Sequence, residues 1–471
     1  MTGDDHGSAD GEPGPADAEE TAFAVVGGGI VGASVAFHLS ERTDEPITVY
    51  ERGEPGGETT RKSTAMIGVA GPEPLYELRA YGIRLYNDLL DDPTTAPQYR
   101  GAGRLRVTTD PDVAAGFARL AIAAEGRTDD DVPASTAIEG IDAATLTHGT
   151  AAFVPGEEIR GRLLVPPVND EILEGALYRP EFGYVSGDDT LGAGELAREL
   201  LERAKENGVT VESETEVTGI HTAEGRVVGI ETRPAGRTET NAASNAGARA
   251  TSDAGTSTGP DTNSTTTVVE TRNVICAAGP WNPGLAATAG IEIPVEHVRS
   301  PVFSLKLDRP LPYTLPMIKS HESSVGIHPK RRDRVLVTYT PRRDGDGDGN
   351  ENGRSDEHGS DGGALRDPST GSNTPRDAER RTALRWAERL VPLLADATLT
   401  DEWVGIGTKT PDGAPIVGPT AVKGLSLAVT GSGIQLAPAV GDILARRLVD
   451  GEMTAHHDAV TPARFADDPR R

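Results

Sequence analysis

TAFAVVGGGIVG, residues 21–32, decides the fold: five apolar residues follow Thr21, then come Gly27, Gly28 and Gly29, then Ile30, Val31 and Gly32. A short run that is apolar on both faces reads as a strand buried in a parallel sheet. Gly27 and Gly29 allow a tight turn and let the backbone approach a pyrophosphate, while Gly32 lets the next helix pack close against the strand. Ile30 and Val31 open that helix, expected over 30–42, whose free N–H groups and positive dipole end would face the diphosphate. A second strand, 46–51 (PITVYE), ends in Glu51, 24 residues after Gly27. That carboxylate is placed to accept bonds from ribose hydroxyls and to disfavour a 2′-phosphate, and so NADP. A glycine-rich structural turn would need none of these neighbours. Strand, helix and acid together point to a dinucleotide-binding βαβ unit.

Outward from this unit, strands and helices alternate. Helices are expected at about 74–91, with Leu75, Leu78, Leu85 and Leu89 on one face, and at 190–207, where Leu196 and Leu200 share a face and Gly208 supplies the left-handed stop. RLRVTT at 104–109 alternates like a half-buried antiparallel strand, and VTVES and 268–278 read as further strands. Alternating strands fill 299–340, a helix with Thr374 as N-cap and Pro375 in its first turn runs towards Leu390, and a strand at 424–430 leads into a last helix carrying Val440, Ile443, Leu444 and Leu448. At 471 residues the chain exceeds one ordinary core. Parallel pieces at both ends around an antiparallel middle give a discontinuous two-domain architecture, α/β together with α+β.

Three stretches look unable to bury enough surface to order themselves: the acidic first twenty residues, 233–267 and 343–374. The last contains Asp344, Asp346, Asp348 and Gly349, but Glu357 is off the calcium-loop spacing, so a solvated acidic loop is expected and no metal site. Net charge is −27, from 46 basic and 73 acidic residues, and only seven of the basic residues are lysine. Such a chain would be repelled by nucleic acid and anionic membranes, and its diffuse acidity suits a salt-rich cytoplasm. No stretch reaches the roughly 18 apolar residues of a membrane span, and the N-terminus lacks a secretory pattern. A cytoplasmic location is expected. Cys276, the only cysteine, lies in an apolar run and reads as a buried structural thiol, which excludes a disulfide framework or a CxxC redox pair.

Four blocks between about residues 21 and 451 together resemble the FAD-dependent oxidoreductases of the D-amino-acid oxidase family, which include glycine oxidase, sarcosine oxidase and dimethylglycine dehydrogenase. They are the glycine fingerprint with Glu51 and Arg52, the loop GGETTRKSTAMIG at 56–68, the strand NVICAAGPW at 273–281, and TPDGAPIVG at 410–418 followed by TGSGIQLAP at 430–438. The resemblance implies a Rossmann-like FAD-binding domain from 21–100, 181–232, 268–290 and 401–451, and a second, antiparallel β-sheet substrate domain from 101–180 and 291–400. The tails 1–20 and 452–471 and the insertions 233–267 and 343–374 stand outside both. It further implies FAD contacts from Ser63 and Thr64 in the loop, Val217 beside Glu216 at the adenine, Ala278 and Gly279 after the buried strand, and Gly431, Gly433, Ile434 and Gln435 at the last turn. Glycines 431 and 433 permit close backbone approach, and the helix behind them can stabilise negative charge at the pyrimidine end of the flavin. An ordinary strand-to-helix turn would look similar.

Departures from the family pattern matter as much. Members with covalent flavin use a cysteine near the C-terminus or a histidine in the loop; Cys276 is in the wrong block and Ser63 and Thr64 stand at the histidine's place, so non-covalent FAD is implied. The arginine that glycine oxidase-like members place before the TPDG segment is replaced by Gly405-Ile406-Gly407-Thr408-Lys409, and the sarcosine oxidase-like lysine by Gln435. A substrate carboxylate would need another cation, with Arg61, Lys62, Arg299, Lys319 and Lys409 as candidates, although each can equally be a phosphate contact or a surface charge. His321 and His328 lie on the middle strands and read as surface or packed histidines, while His456 and His457 fall in a polar tail. The implied activity is oxidation of a small amine or amino acid, C–N to C=N, by hydride transfer to flavin N5, followed by imine hydrolysis. The acceptor of the electrons (oxygen, a quinone or a carrier protein) is left open. Two rivals remain: a 2-hydroxy acid or polyol dehydrogenase with a base such as His328, and a non-catalytic FAD-binding assembly factor.

Overall fold

The computed structural model describes residues 21–69, 74–90, 97–124, 151–163, 168–186, 192–235, 266–340 and 374–465. The first twenty residues, the DxDxDG string, Glu357 and most of both expected insertions lie outside them. In chain order, the first part contains β1 (Thr21–Val26), α1 (Ile30–Ser40), β2 (Ile47–Tyr50), β3 (Met66–Ile67), α2 (Leu75–Leu90) and β4 (Gln98–Gly101). It continues through β5 (Arg104–Thr108), α3 (Pro111–Ala124), β6 (Ala152–Pro155), α4 (Ile159–Leu163), β7 (Gly175–Arg179) and β8 (Gly183–Ser186). Then come α5 (Ala193–Glu206), β9 (Thr210–Glu212), β10 (Thr215–Ala223), β11 (Arg226–Pro234), β12 (Thr267–Cys276) and α6 (Asn282–Ala287). The chain closes with β13 (Glu296–Lys306), β14 (Met317–Ser320), β15 (Val325–Arg331), β16 (Arg334–Tyr339), α7 (Asp377–Leu390), β17 (Thr398–Lys409), β18 (Ile416–Pro419), β19 (Leu425–Val429), α8 (Gly433–Ala445) and α9 (His457–Val460).

β1 is buried along its whole length because it has a parallel neighbour on each side, β12 with Val26 opposite Cys276 and β2 with Val26 opposite Tyr50. The sheet runs β10-β11-β12-β1-β2-β9, with β19 pairing β12 and β18 pairing β19. One face is covered by α1, α2, α5 and α8, whose Leu39, Leu78, Leu196 and Val440 join Val25 and Val49 in a single core. The other face buries Ala24, Cys276, Ile230 and Leu427 with Leu285 of α6. α8 approaches α1 closely: the Ser34 hydroxyl donates to the Ala437 carbonyl at 2.8 Å, and a Cβ at Gly441 would lie 2.5 Å from the Ser34 oxygen. Asp442 of the same helix is buried between Arg42, Arg446 and the hydroxyl of Tyr81, whose pKa is pushed up to about 12 by burial and by this carboxylate.

The second sheet is also eight-stranded, β17-β13-β16-β15-β14-β5-β7-β6. Its inner pairs are antiparallel except β14 with β5, so the 104–109 strand, expected to be antiparallel, has one parallel neighbour. Leu105, Ile318, Ile327, Phe303 and Val337 bury one face against Ala383, Ala387 and Leu390 of α7. A three-stranded sheet, β3-β8-β4, lies between the two large ones in the chain path.

The structure differs from the sequence expectation at three places. β17 pairs with β13 from Glu296 opposite Lys409 to Lys306 opposite Thr398, so residues 401–409, expected in the first domain, complete the second sheet. α7 starts at Asp377 with Arg376 as its cap, two residues later than the Thr374-Pro375 signal. The cause is buried Glu379, which accepts the Arg376 N–H at 2.7 Å and pairs with buried Arg299 at 3.1 Å, while Arg299 also donates to the Thr374 carbonyl. The polar tail from 452 is ordered into the first unit through residue 465: Val460 and Phe465 are buried, Arg464 pairs with Asp412 at 2.8 Å, and the His456 ring lies 5.5 Å from that of Tyr81.

Removing one member of a buried ion pair leaves an uncompensated charge. Glu379→Ala is expected to destabilise the protein by about 3–5 kcal/mol, read as a lowered denaturant midpoint at unchanged m-value; an unchanged midpoint would place Arg299 in a solvated setting.

Candidate active site

The turn between β1 and α1 is fixed by close backbone approach. Gly27 sits at φ +110, and a Cβ there would be 2.6 Å from the Ala277 carbonyl oxygen of β12's end. A Cβ at Gly32 would overlap the Gly27 carbonyl oxygen itself. The first turn of α1 has no acidic residue; its Ile30 N–H donates to the Thr60 hydroxyl at 3.0 Å, and no side chain among the described residues caps the other first-turn N–H groups, which stay available to an anion. Glu51 accepts the Gly28 N–H at 2.7 Å through one oxygen and the Gly53 N–H at 2.8 Å through the other. Burial raises its pKa, and the two N–H bonds oppose that rise.

From this turn a cleft of about 700 Å³ extends in two directions. On one side it is lined by Glu51, Arg52, Val217 and Trp281, where the Arg52 guanidinium lies 4.0 Å from the Trp281 ring centroid. The buried Trp281 indole N–H has no partner among the described residues, a donor that a ligand would satisfy. On the other side the walls are Lys62, Ser63 and Thr64 from the loop after β2, Thr430, Gly431, Gly433 and Ile434 before and in α8, and Ser300, Val302 and Thr338 from the second sheet. A Cβ at Gly431 would overlap the Thr408 carbonyl oxygen, so only glycine lets the strand β17 and this turn meet.

Fourteen of the expected cofactor positions line this one cleft: Gly27, Gly29, Ile30, Val31, Glu51, Arg52, Ser63, Thr64, Val217, Ala278, Gly279, Gly431, Gly433 and Ile434. Gly28 and Gly32 lie just behind the lining, one bonded to Glu51 and the other under Gly27. Gln435 is buried beside the lining with its amide oxygen unpartnered among the described residues. The cationic candidates separate. Lys62 lines the cleft, held by Glu58 at 3.5 Å. Arg299 turns away from it towards Glu379, because its neighbours Ser300 and Val302 on the alternating strand face inward. Arg61, Lys319 and Lys409 are exposed and do not line it.

His328 stands behind the wall, its Nε2 3.2 Å from the Thr338 hydroxyl, and the Gly326 backbone leaves room for that reach. Burial, and then the positive charges of Lys330, Lys319 and Arg104, push its pKa down to about 3, so the imidazole is neutral. His321 bonds Arg106 at 3.1 Å, away from the cleft. Sequence reading missed Thr60, Ser300, Val302 and Thr338 as cleft residues. Thr60 lies in the 56–68 loop, but nothing local distinguishes inward from outward positions on strands whose pairing is unknown.

A family model described as "FAD dependent oxidoreductase" (DAO) matches residues 22–447. The chain belongs to that family. It is similar to 4-methylaminobutanoate oxidase (formaldehyde-forming) of Paenarthrobacter nicotinovorans, 26% identical over 452 residues, 94% of this chain but only 45% of that protein's length. It is likewise similar to glycine oxidase of Geobacillus kaustophilus, 26% identical over 447 residues that cover 92% of this chain and 93% of that protein. Among solved structures, L-proline dehydrogenase from P. horikoshii superposes with a TM-score of 0.68 at 19% identity, covering 95% of this chain and 98% of the other, which establishes the shared fold. The chain is thus an oxidoreductase with FAD as its cofactor. The turn at Gly27, the two-sided cleft and the unpartnered Trp281 N–H fit such a dinucleotide.

Two outcomes are expected. Glu51→Gln should weaken FAD binding by roughly 1.5–3 kcal/mol, the worth of a charged hydrogen bond, in titrations of the apoprotein followed by flavin fluorescence. Gly431→Ala should purify folded by circular dichroism yet with a lowered flavin-to-protein ratio; full flavin occupancy would contradict the tight contact with Thr408.

Proposed function

We propose that the protein oxidises a small amine or amino acid, C–N to C=N, with FAD held non-covalently. What carries this reading is that the diphosphate turn at Gly27, the loop Lys62–Thr64 and the inward face of the second sheet at Ser300, Val302 and Thr338 all border one cleft. FAD, when bound, supplies the hydride acceptor. The chain's own residues hold the substrate's reacting C–H against it and exclude water, with Val302 and Ile434 as apolar walls. In this reading the Thr338 hydroxyl, 3.2 Å from His328 Nε2 and part of the cleft lining, hydrogen-bonds the substrate nitrogen. The relatives named above as oxidases of 4-methylaminobutanoate and glycine support an amine or amino-acid substrate.

Lys62 is the cation proposed to receive a substrate carboxylate. The other cations among the described cleft residues are engaged, Arg52 over Trp281 and Arg233 with its Nε and one Nη donating to Glu216, whereas Lys62 has only a 3.5 Å contact to Glu58. Oxidation of a 2-hydroxy acid would call for a base at the hydroxyl, and His328, held to about 3, is a poor one.

Anaerobic mixing of the holoenzyme with amino acids, N-methyl amines and hydroxy acids tests the reading. Bleaching of the flavin band by members of the first two groups is expected; bleaching by hydroxy acids alone, or by none, overturns it. Acid precipitation should release the flavin into the supernatant. Lys62→Met should raise KM for a carboxylate substrate by roughly tenfold or more, one ion-paired hydrogen bond's worth, with a smaller change in kcat.

A further inference from the structure

Behind the loop that walls the cleft lies a second cavity, of about 550 Å³. Its lining includes Arg100, Tyr184, Lys330, Arg331 and Arg332 together with Thr314, so four of its residues are cationic, and no carboxylate lines it among the described residues. This is unusual in a chain whose net charge is −27. The centre of the cluster is Lys330, only 3% exposed. Its ammonium donates to the Thr64 carbonyl and lies 5.4 Å from the Tyr184 ring centroid, and among the described residues it forms no ion pair. Arg100 is held open by neutral acceptors, the Ser186 hydroxyl at 3.3 Å and the Gln98 amide oxygen at 2.9 Å. The turn that presents Arg332 is pinned by its own carbonyl, which accepts the Leu311 N–H at 2.7 Å.

Gathering cations around a buried lysine that has no counter-charge among the described residues costs free energy unless something anionic offsets it. We infer that this cavity is a binding site for a small oxyanion of the carboxylate, sulfate or phosphate class, separate from the cleft and facing the back of its wall. Lys330, Arg100 and Arg332 supply charge-assisted donors, and Tyr184 and Thr314 supply hydroxyls. The site is coupled to the cleft through one bond: Lys330 grips Thr64, which forms the cleft wall on its other side. An anion that draws on the Lys330 ammonium therefore alters how firmly that wall is held. Burial pushes this lysine down to about 7, and an anion beside it would restore its charge.

The test uses the FAD-loaded protein at fixed ionic strength, with sulfate, inorganic phosphate or malonate replacing chloride. Saturable binding by calorimetry is expected for at least one of them, accompanied by a shift of the flavin absorption band that saturates at the same concentration. The order of the three affinities identifies the anion type. Arg332→Ala, an exposed position that leaves the core untouched, should weaken binding roughly tenfold, the loss of one charged hydrogen bond, and Lys330→Met should abolish the flavin shift. Absence of saturable binding by all three anions, or wild-type affinity in both variants, overturns the inference.

Discussion

Everything in this molecule hangs on how closely two backbones pass at the end of the first sheet. The Gly27 turn touches the Ala277 carbonyl, and α1 rests on Gly27 through Gly32. That contact aims a helix N-terminus, free of acidic side chains, at the head of the cleft. Glu51 ties the same turn to the next strand through the Gly28 N–H. Without these approaches the cleft would have no floor, and neither the loop at Lys62–Thr64 nor the second sheet would have anything to close over.

The two large sheets do different work. The first presents backbone: turns, free N–H groups and glycines where a dinucleotide must come close. The second presents side chains, alternating between a core packed on α7 and a face that borders the cleft. The long β13–β17 ribbon belongs to both tasks, since Ser300 and Val302 on one strand and Gly405 to Thr408 on the other line the cleft while Arg299 locks the ribbon to α7. The chemistry is supplied by the cofactor and needs few protein groups.

The end of the cleft around Gly27 is legible in the sequence because its signals are local. Strand, glycines, helix and Glu51 fall within 31 residues, from Thr21 to Glu51, and each has one physical job. The end bordered by the second sheet is not. Whether Arg299 faces the cleft depends on strand alternation and on Glu379, 80 residues further on. The same carboxylate moved the start of α7 past the Thr374-Pro375 signal. The pairing of residues 401–409 with the second sheet is illegible for a similar reason: their partner, β13, lies about a hundred residues earlier, and no local pattern records that pairing. Polar composition hid the docking of the C-terminal stretch, where two apolar residues, Val460 and Phe465, outweigh the charges around them.

The bond from Ser34 to Ala437 spans 403 positions of sequence. During synthesis, α1 emerges early yet finds the helix that covers it only when α8 has left the ribosome. Until then Ser34 has no partner at Ala437, and the cleft lacks the wall formed by Gly431, Gly433 and Ile434. A cleft whose walls come from residues this far apart in the sequence is complete only when both ends of the chain are folded together.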